Sequence, residues 1–181
     1  MADGAEIDSE SCDQPPSGPF DGPSEFRRYI RQALCCAARQ GWRELILCDP
    51  DFHDWPLGEL DMLDVLDTWA SAGGAAAGRS PRRCLLLAGD FESVRVRHPR
   101  FAQWRVRWGH LIECRLLAAR NTSDVLSVLW APGWSLQRRD VERSRGVASS
   151  DPQQCLMLHE MLREWIAGKS RPGFPATILG L

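Results

Sequence analysis

Three carboxylates and an imidazole crowd into one short stretch, Asp49, Asp51, His53 and Asp54, with Trp55 directly behind. The stretch follows the apolar run Leu45-Ile46-Leu47-Cys48, so it falls at the end of an expected buried strand. That is where α/β proteins build their sites. Hard divalent cations take oxygen ligands, and this set would hold one for a metal-assisted phosphodiesterase or nuclease. The other reading of the same residues is a polar loop in which Asp49 and Asp54 cap turns or pair with nearby arginines.

Arginine offers a second chemistry. From Arg79 to Arg120 the chain carries ten arginines against Asp90, Glu92 and Glu113. Within residues 99–108, Phe101, Trp104 and Trp108 recur at helical spacing, with Arg100 and Arg107 on one side and Arg105 on the other. Guanidinium groups beside aromatic rings suit phosphate contact combined with base stacking. A smaller cluster, Arg138, Arg139, Arg143 and Arg145, is mixed with Asp140 and Glu142. The expected contacts to a phosphate-bearing ligand are Arg100, Trp104, Arg105, Arg107, Arg138 and Arg139. A stripe at this spacing also serves as a core face. Its arginines then lie along the surface or pair with the acidic helix that carries Glu59, Asp61, Asp64 and Asp67.

The sequence contains no glycine-rich phosphate loop, zincin motif or serine-hydrolase elbow. Its seven cysteines include no CxxC pair, and Cys48, Cys84 and Cys114 read as small buried hydrophobes on strands. An odd cysteine count behind an acidic, non-apolar start leads to an expectation of reduced thiols and a cytoplasmic location. No stretch reaches the roughly 18 apolar residues of a membrane span. No cofactor is expected.

These residues must be held by one domain. The chain has 181 residues, 44% of them hydrophobic and 25% charged, with a formal net charge of −2. That composition excludes wholesale disorder, a collagen-like fibre and a small disulfide scaffold. Residues 1–23 read as a disordered acidic leader, 24–170 as an α/β domain and 171–181 as a tail. Helices are expected from Ser24, over 57–70, over 99–108 and from Pro152. Short apolar strands are expected at 45–48, 82–88, 111–117 and 125–130, and a loop over 138–146. Strands so uniformly apolar are covered on both faces. The expected fold is therefore an α/β three-layer sandwich, a mostly parallel sheet with helices on both faces and an antiparallel edge.

This order of elements resembles one half of a phospholipase D-type domain. The stretches ILCDPDFHDWPLGELDMLDVLDTWA, RRCLLLAGDFESVRVRHPRFAQW and RGVASSDPQQCLMLHEMLREW resemble an uncharacterised bacterial family of that superfamily, one without the catalytic motif. Active members pair two copies of HxKxxxxD, whose His attacks phosphorus and whose Lys holds the phosphate. The resemblance puts that motif near residues 125–139, where this chain reads DVLSVLWAPGWSLQRR, with neither His nor Lys. It implies a phospholipase D-like half that binds without cleaving, holding nucleic acid, another polyanion or a protein partner. Because the halves pair in that superfamily, it also implies a homodimer. The alternatives are the metal-assisted enzyme at Asp49, Asp51, His53 and Asp54, and a structural or regulatory subunit of a larger enzyme.

Overall fold

The computed structural model describes residues 13–72, 81–118 and 125–175. In chain order the elements are β1 (Gly18–Asp21), α1 (Pro23–Gln40), β2 (Glu44–Asp49), α2 (Leu60–Ser71), β3 (Arg83–Ala88), α3 (Glu92–Arg97), α4 (Pro99–Arg107), β4 (Ile112–Leu117), β5 (Ser127–Ala131), β6 (Trp134–Asp140), β7 (Arg145–Ser149), α5 (Pro152–Gly168) and β8 (Ser170–Pro172). The strands form an eight-stranded sheet in the order β1-β7-β6-β5-β2-β3-β4-β8.

Only β2, β3 and β4 run parallel to one another. Helices cross between them, as parallel pairing demands. Every other neighbouring pair is antiparallel. The expected mostly parallel three-layer sandwich is therefore incorrect: the sheet is mixed and mostly antiparallel. The error has a physical source. The five residues of β5 are all buried, as both-face cover requires, but burial does not fix strand direction. Direction comes from the connection. Pro132-Gly133, with Gly133 at φ 82°, turns β5 straight back into β6, and so tight a turn joins only antiparallel strands.

Alternation along the strands sorts side chains onto two faces. Leu45, Leu47, Cys84, Leu86, Leu129 and Leu136 pack against α1, α2 and α4. Ile46, Cys48, Leu85, Leu87, Val128 and Trp130 pack against Leu158 and Leu162 of α5 on the other face. Each fully buried aliphatic side chain contributes about 1.5–3 kcal/mol by leaving water. Asp151 starts α5 by accepting the Gln154 N–H at 2.8 Å, with Pro152 in the first turn. α1 starts at Pro23, one residue before its expected start at Ser24, and no side chain caps it. Gly41 ends it in the left-handed conformation at φ 71°. No helix among the described residues is long and apolar enough to cross a membrane.

The flanks of the domain differ from expectation. Residues 1–12 of the leader lie outside the described residues. Residues 13–23 contain β1, which pairs with β7, and Phe20 there is buried. The expected tail contributes Arg171 and Pro172 to β8, which pairs with β4. The expected loop over 138–146 is mostly strand, because β6 runs on to Asp140 and β7 begins at Arg145.

Gly146 of β7 is a point of close approach. A Cβ there would run into the Gln137 carbonyl oxygen and the Phe20 ring, and would stand 2.8 Å from the Arg138 Cα. Gly146→Ala is expected to destabilise the fold by about 1–3 kcal/mol, the usual cost of overpacking, as read from a urea titration.

Candidate anion-binding surface

The acidic loop and the arginine cluster meet inside the protein. Register puts them there. Ser127 of β5 lies opposite Arg138 of β6. Cys48 lies opposite Val128, so Asp49 extends the same row on β2. Asp49, Ser127 and Arg138 thus project from three adjacent strands towards α1, on the face that carries Leu47, Leu129 and Leu136.

Asp49 is fully buried. Its Oδ1 accepts the backbone N–H of Phe52 at 2.9 Å and of Asp51 at 3.2 Å. Its Oδ2 accepts Ser127 Oγ at 2.5 Å, Trp55 Nε1 at 2.8 Å and Arg138 Nη2 at 2.9 Å. Arg138 also donates from Nε to Ser127 Oγ at 3.0 Å. Its Nη1 donates to Asp54 Oδ2 at 3.0 Å and Ser144 Oγ at 3.3 Å. Its guanidinium lies 4.3 Å from the centre of the Phe26 ring.

A carboxylate offers about four lone-pair positions, and five donors already meet Asp49. It has none left for a cation. Asp51 turns aside, accepting the His53 N–H at 2.9 Å and Ser93 Oγ at 3.3 Å. His53 is half-buried. Among the described residues no group of three or more His, Cys, Asp or Glu converges on a metal position. The four residues of the acidic candidate form a hydrogen-bonded loop around a buried ion pair. His98 ties that loop to α3 and α4: its Nε2 donates to the Phe52 carbonyl at 2.9 Å, and burial holds the imidazole pKa below its ordinary range.

The residues expected to contact a ligand do not share one face. Arg138 and Arg105 are each only 2% exposed. Arg139, next along β6, is exposed and lines a groove with Gln137, Val147, Met157 and Met161, on the α5 side of the sheet. Trp104 is half-buried, stacked on Phe101 with ring centroids 5.7 Å apart. Its indole N–H goes to Asp67 Oδ1 at 3.0 Å, and Trp108 reaches the same oxygen at 2.9 Å. These two bonds, that of Trp108 first, hold the Asp67 carboxyl below its usual range. Trp104 therefore packs α4 onto α2.

What remains open on α3 and α4 is charge. Residues 92–107 contain five arginines against Glu92 alone. Arg95, Arg97, Arg100 and Arg107 are exposed. Arg95 meets Glu92 at 3.1 Å, and Arg107 approaches Asp67 at 3.8 Å. Among the described residues, no carboxylate pairs with Arg97 or Arg100. Sequence reading did not separate α3 from the loop before it. The signal was there, because Val94 and Phe101 mark the inward side of two short helices set either side of Pro99.

Comparison with known protein families and with curated proteins finds no match. Solved structures do match. An archaeal chromatin protein, TrmBL2, whose structure shows a novel mode of DNA binding, superposes with a TM-score of 0.56 at 12% identity, over 86% of this chain and 54% of that one. A phosphatidylserine synthase from Haemophilus influenzae Rd superposes with a TM-score of 0.51 at 16% identity, over 90% of this chain and 41% of that one. The chain thus spans about half the length of the solved chains it matches, and at these identities the likeness shows a shared fold.

Proposed function

We propose that this chain is a binding module that recognises a phosphate-bearing polyanion, nucleic acid first, through the exposed arginines of α3 and α4. The observation that carries this reading is the pair Arg97 and Arg100, exposed and without a carboxylate partner among the described residues, with Arg95 and Arg107 beside them. Guanidinium forks match phosphate oxygens. A local cationic ridge on a chain of net charge −2 attracts a polyanion at short range, within a Debye length of about 8–10 Å. Base stacking on Trp104 is not part of the reading, since its ring and indole N–H are engaged. A chromatin protein of the same fold that binds DNA makes the reading coherent.

Fluorescence anisotropy against labelled single-stranded and duplex DNA, titrated with salt, tests it. Binding should weaken steeply as salt rises, through release of condensed counterions. The triple variant Arg97→Glu, Arg100→Glu, Arg107→Glu should bind weakly. Its dependence of log K on log salt should flatten by about one for each phosphate that an arginine no longer neutralises. Absence of binding by the unaltered chain at low salt sinks the proposal.

A further inference from the structure

The fold deals differently with its buried arginines. Arg138 is surrounded by two carboxylates. Arg105 is buried to the same 2%, and Arg82 is 8% exposed, yet neither has a carboxylate within ion-pair distance among the described residues. Arg105 makes do with neutral partners. Nη1 donates to Cys114 Sγ at 3.0 Å, a weak acceptor, and Nη2 to the Pro175 carbonyl at 2.8 Å. Its Nε is buried with no partner among the described residues, and its guanidinium lies 4.3 Å from the centre of the Phe174 ring. Arg82 donates to the Trp69 carbonyl and lies over the Trp69 ring. Arginine does not escape burial by losing its proton, so buried guanidinium groups are normally paired with an anion.

Both side chains line one cleft of about 580 Å³, at the end of the sheet where β3 and β4 begin. Arg83 and His110 line it too. Glu113 is its one carboxylate among the described residues, and that is already held by Arg83 at 2.8 Å and Arg115 at 2.9 Å. The rest of the lining is apolar, with Leu111, Ile112 and Phe174. A cleft of this size, part apolar and part polar with a few convergent charges, has room for a small molecule.

We infer that this cleft is a binding site for a small oxyanion, the phosphate or carboxylate group of a low-molecular-weight ligand, with Arg105 and Arg82 supplying the charge and Leu111, Ile112 and Phe174 receiving its apolar part. The site is separate from the exposed ridge on α3 and α4: Arg105 belongs to α4 but points inward, to Cys114 of β4. It does not rest on the polyanion reading, and either can fail alone.

The test uses the full chain and three salts at equal ionic strength: sodium phosphate, sodium succinate and sodium chloride. Thermal unfolding is followed by circular dichroism, and the Arg105 Nε–H resonance by NMR. Phosphate should raise the midpoint saturably above chloride and shift that resonance. Succinate acting in place of phosphate would identify a carboxylate as the group bound at the same cleft. In Arg105→Met the response should weaken about tenfold or more, as expected for loss of hydrogen bonds to a charged group. Arg105→Lys keeps the charge without the fork and should retain part of it. If Arg105→Met does not fold, the resonance shift in the unaltered chain decides alone. An Arg105 signal and a midpoint that follow ionic strength only, the same in all three salts, overturn the inference.

Discussion

Arg138→Ala is expected to lower the unfolding free energy by about 3–5 kcal/mol, the cost of stripping one partner from a buried ion pair. Asp49 would be left fully buried, with neutral donors but no cation. Asp54 and Ser144 would lose their shared donor, and the Phe26 ring its cationic neighbour. Arg138→Lys should fail as well, because an ammonium cannot reach Ser127, Asp54 and Asp49 from one planar fork. The paired variant Asp49→Leu, Arg138→Met removes both charges together but strips the acceptor from the Phe52 N–H, Trp55 Nε1 and Ser127 Oγ, so it should recover only part of the loss. Urea titrations with unchanged m-values would measure all of these. A loss under about 1 kcal/mol for Arg138→Ala, the range of an exposed ion pair, would show that water reaches the pair.

Trp134→Ala is the second large effect, at about 3–5 kcal/mol for emptying a buried indole site. The ring is 1% exposed and packs against Trp42 with centroids 5.8 Å apart. Its Nε1 donates to the Pro16 carbonyl at 2.8 Å, which fastens the segment before β1 to the core. Trp134→Phe keeps most of the volume and loses that bond, leaving a buried carbonyl unsatisfied, so its loss should be smaller, about 1–3 kcal/mol. The two variants also separate by hydrogen exchange. The amides of β1 should lose protection in both, and those of β2 and β3 only as far as global stability falls.

How much of this was legible depends on the length of the interaction. Apolar runs placed β2, β3 and β4, and helical spacing placed α1, α4 and α5, because those signals lie within a few residues of one another. Asp49 and Asp54 were readable as partners for arginine, but not for which one. Arg138 stands 89 residues from Asp49, and only the register of β2, β5 and β6 brings them together. The same distance hid β1, whose partner β7 comes late in the chain, behind a composition that reads as unstructured. Strand direction was not legible, because full burial of β5 reports what covers it rather than how it is connected. Arg105 groups with Arg100 and Arg107 in the sequence because all three flank the Phe101-Trp104-Trp108 stripe, yet it is buried and they are exposed. One helix turn decides which arginines face water, and the apolar stripe alone did not settle which side Arg105 takes.

The order of the strands has one more consequence. The sheet ends in β1 on one side and β8 on the other. Both are short, and each carries a proline, Pro19 in one and Pro172 in the other. Proline offers no N–H to a newcomer, and a short outer strand gives it little length to copy. The edges are thereby blunted against templated growth, the route by which open sheets add strands from neighbouring molecules and pass into aggregates.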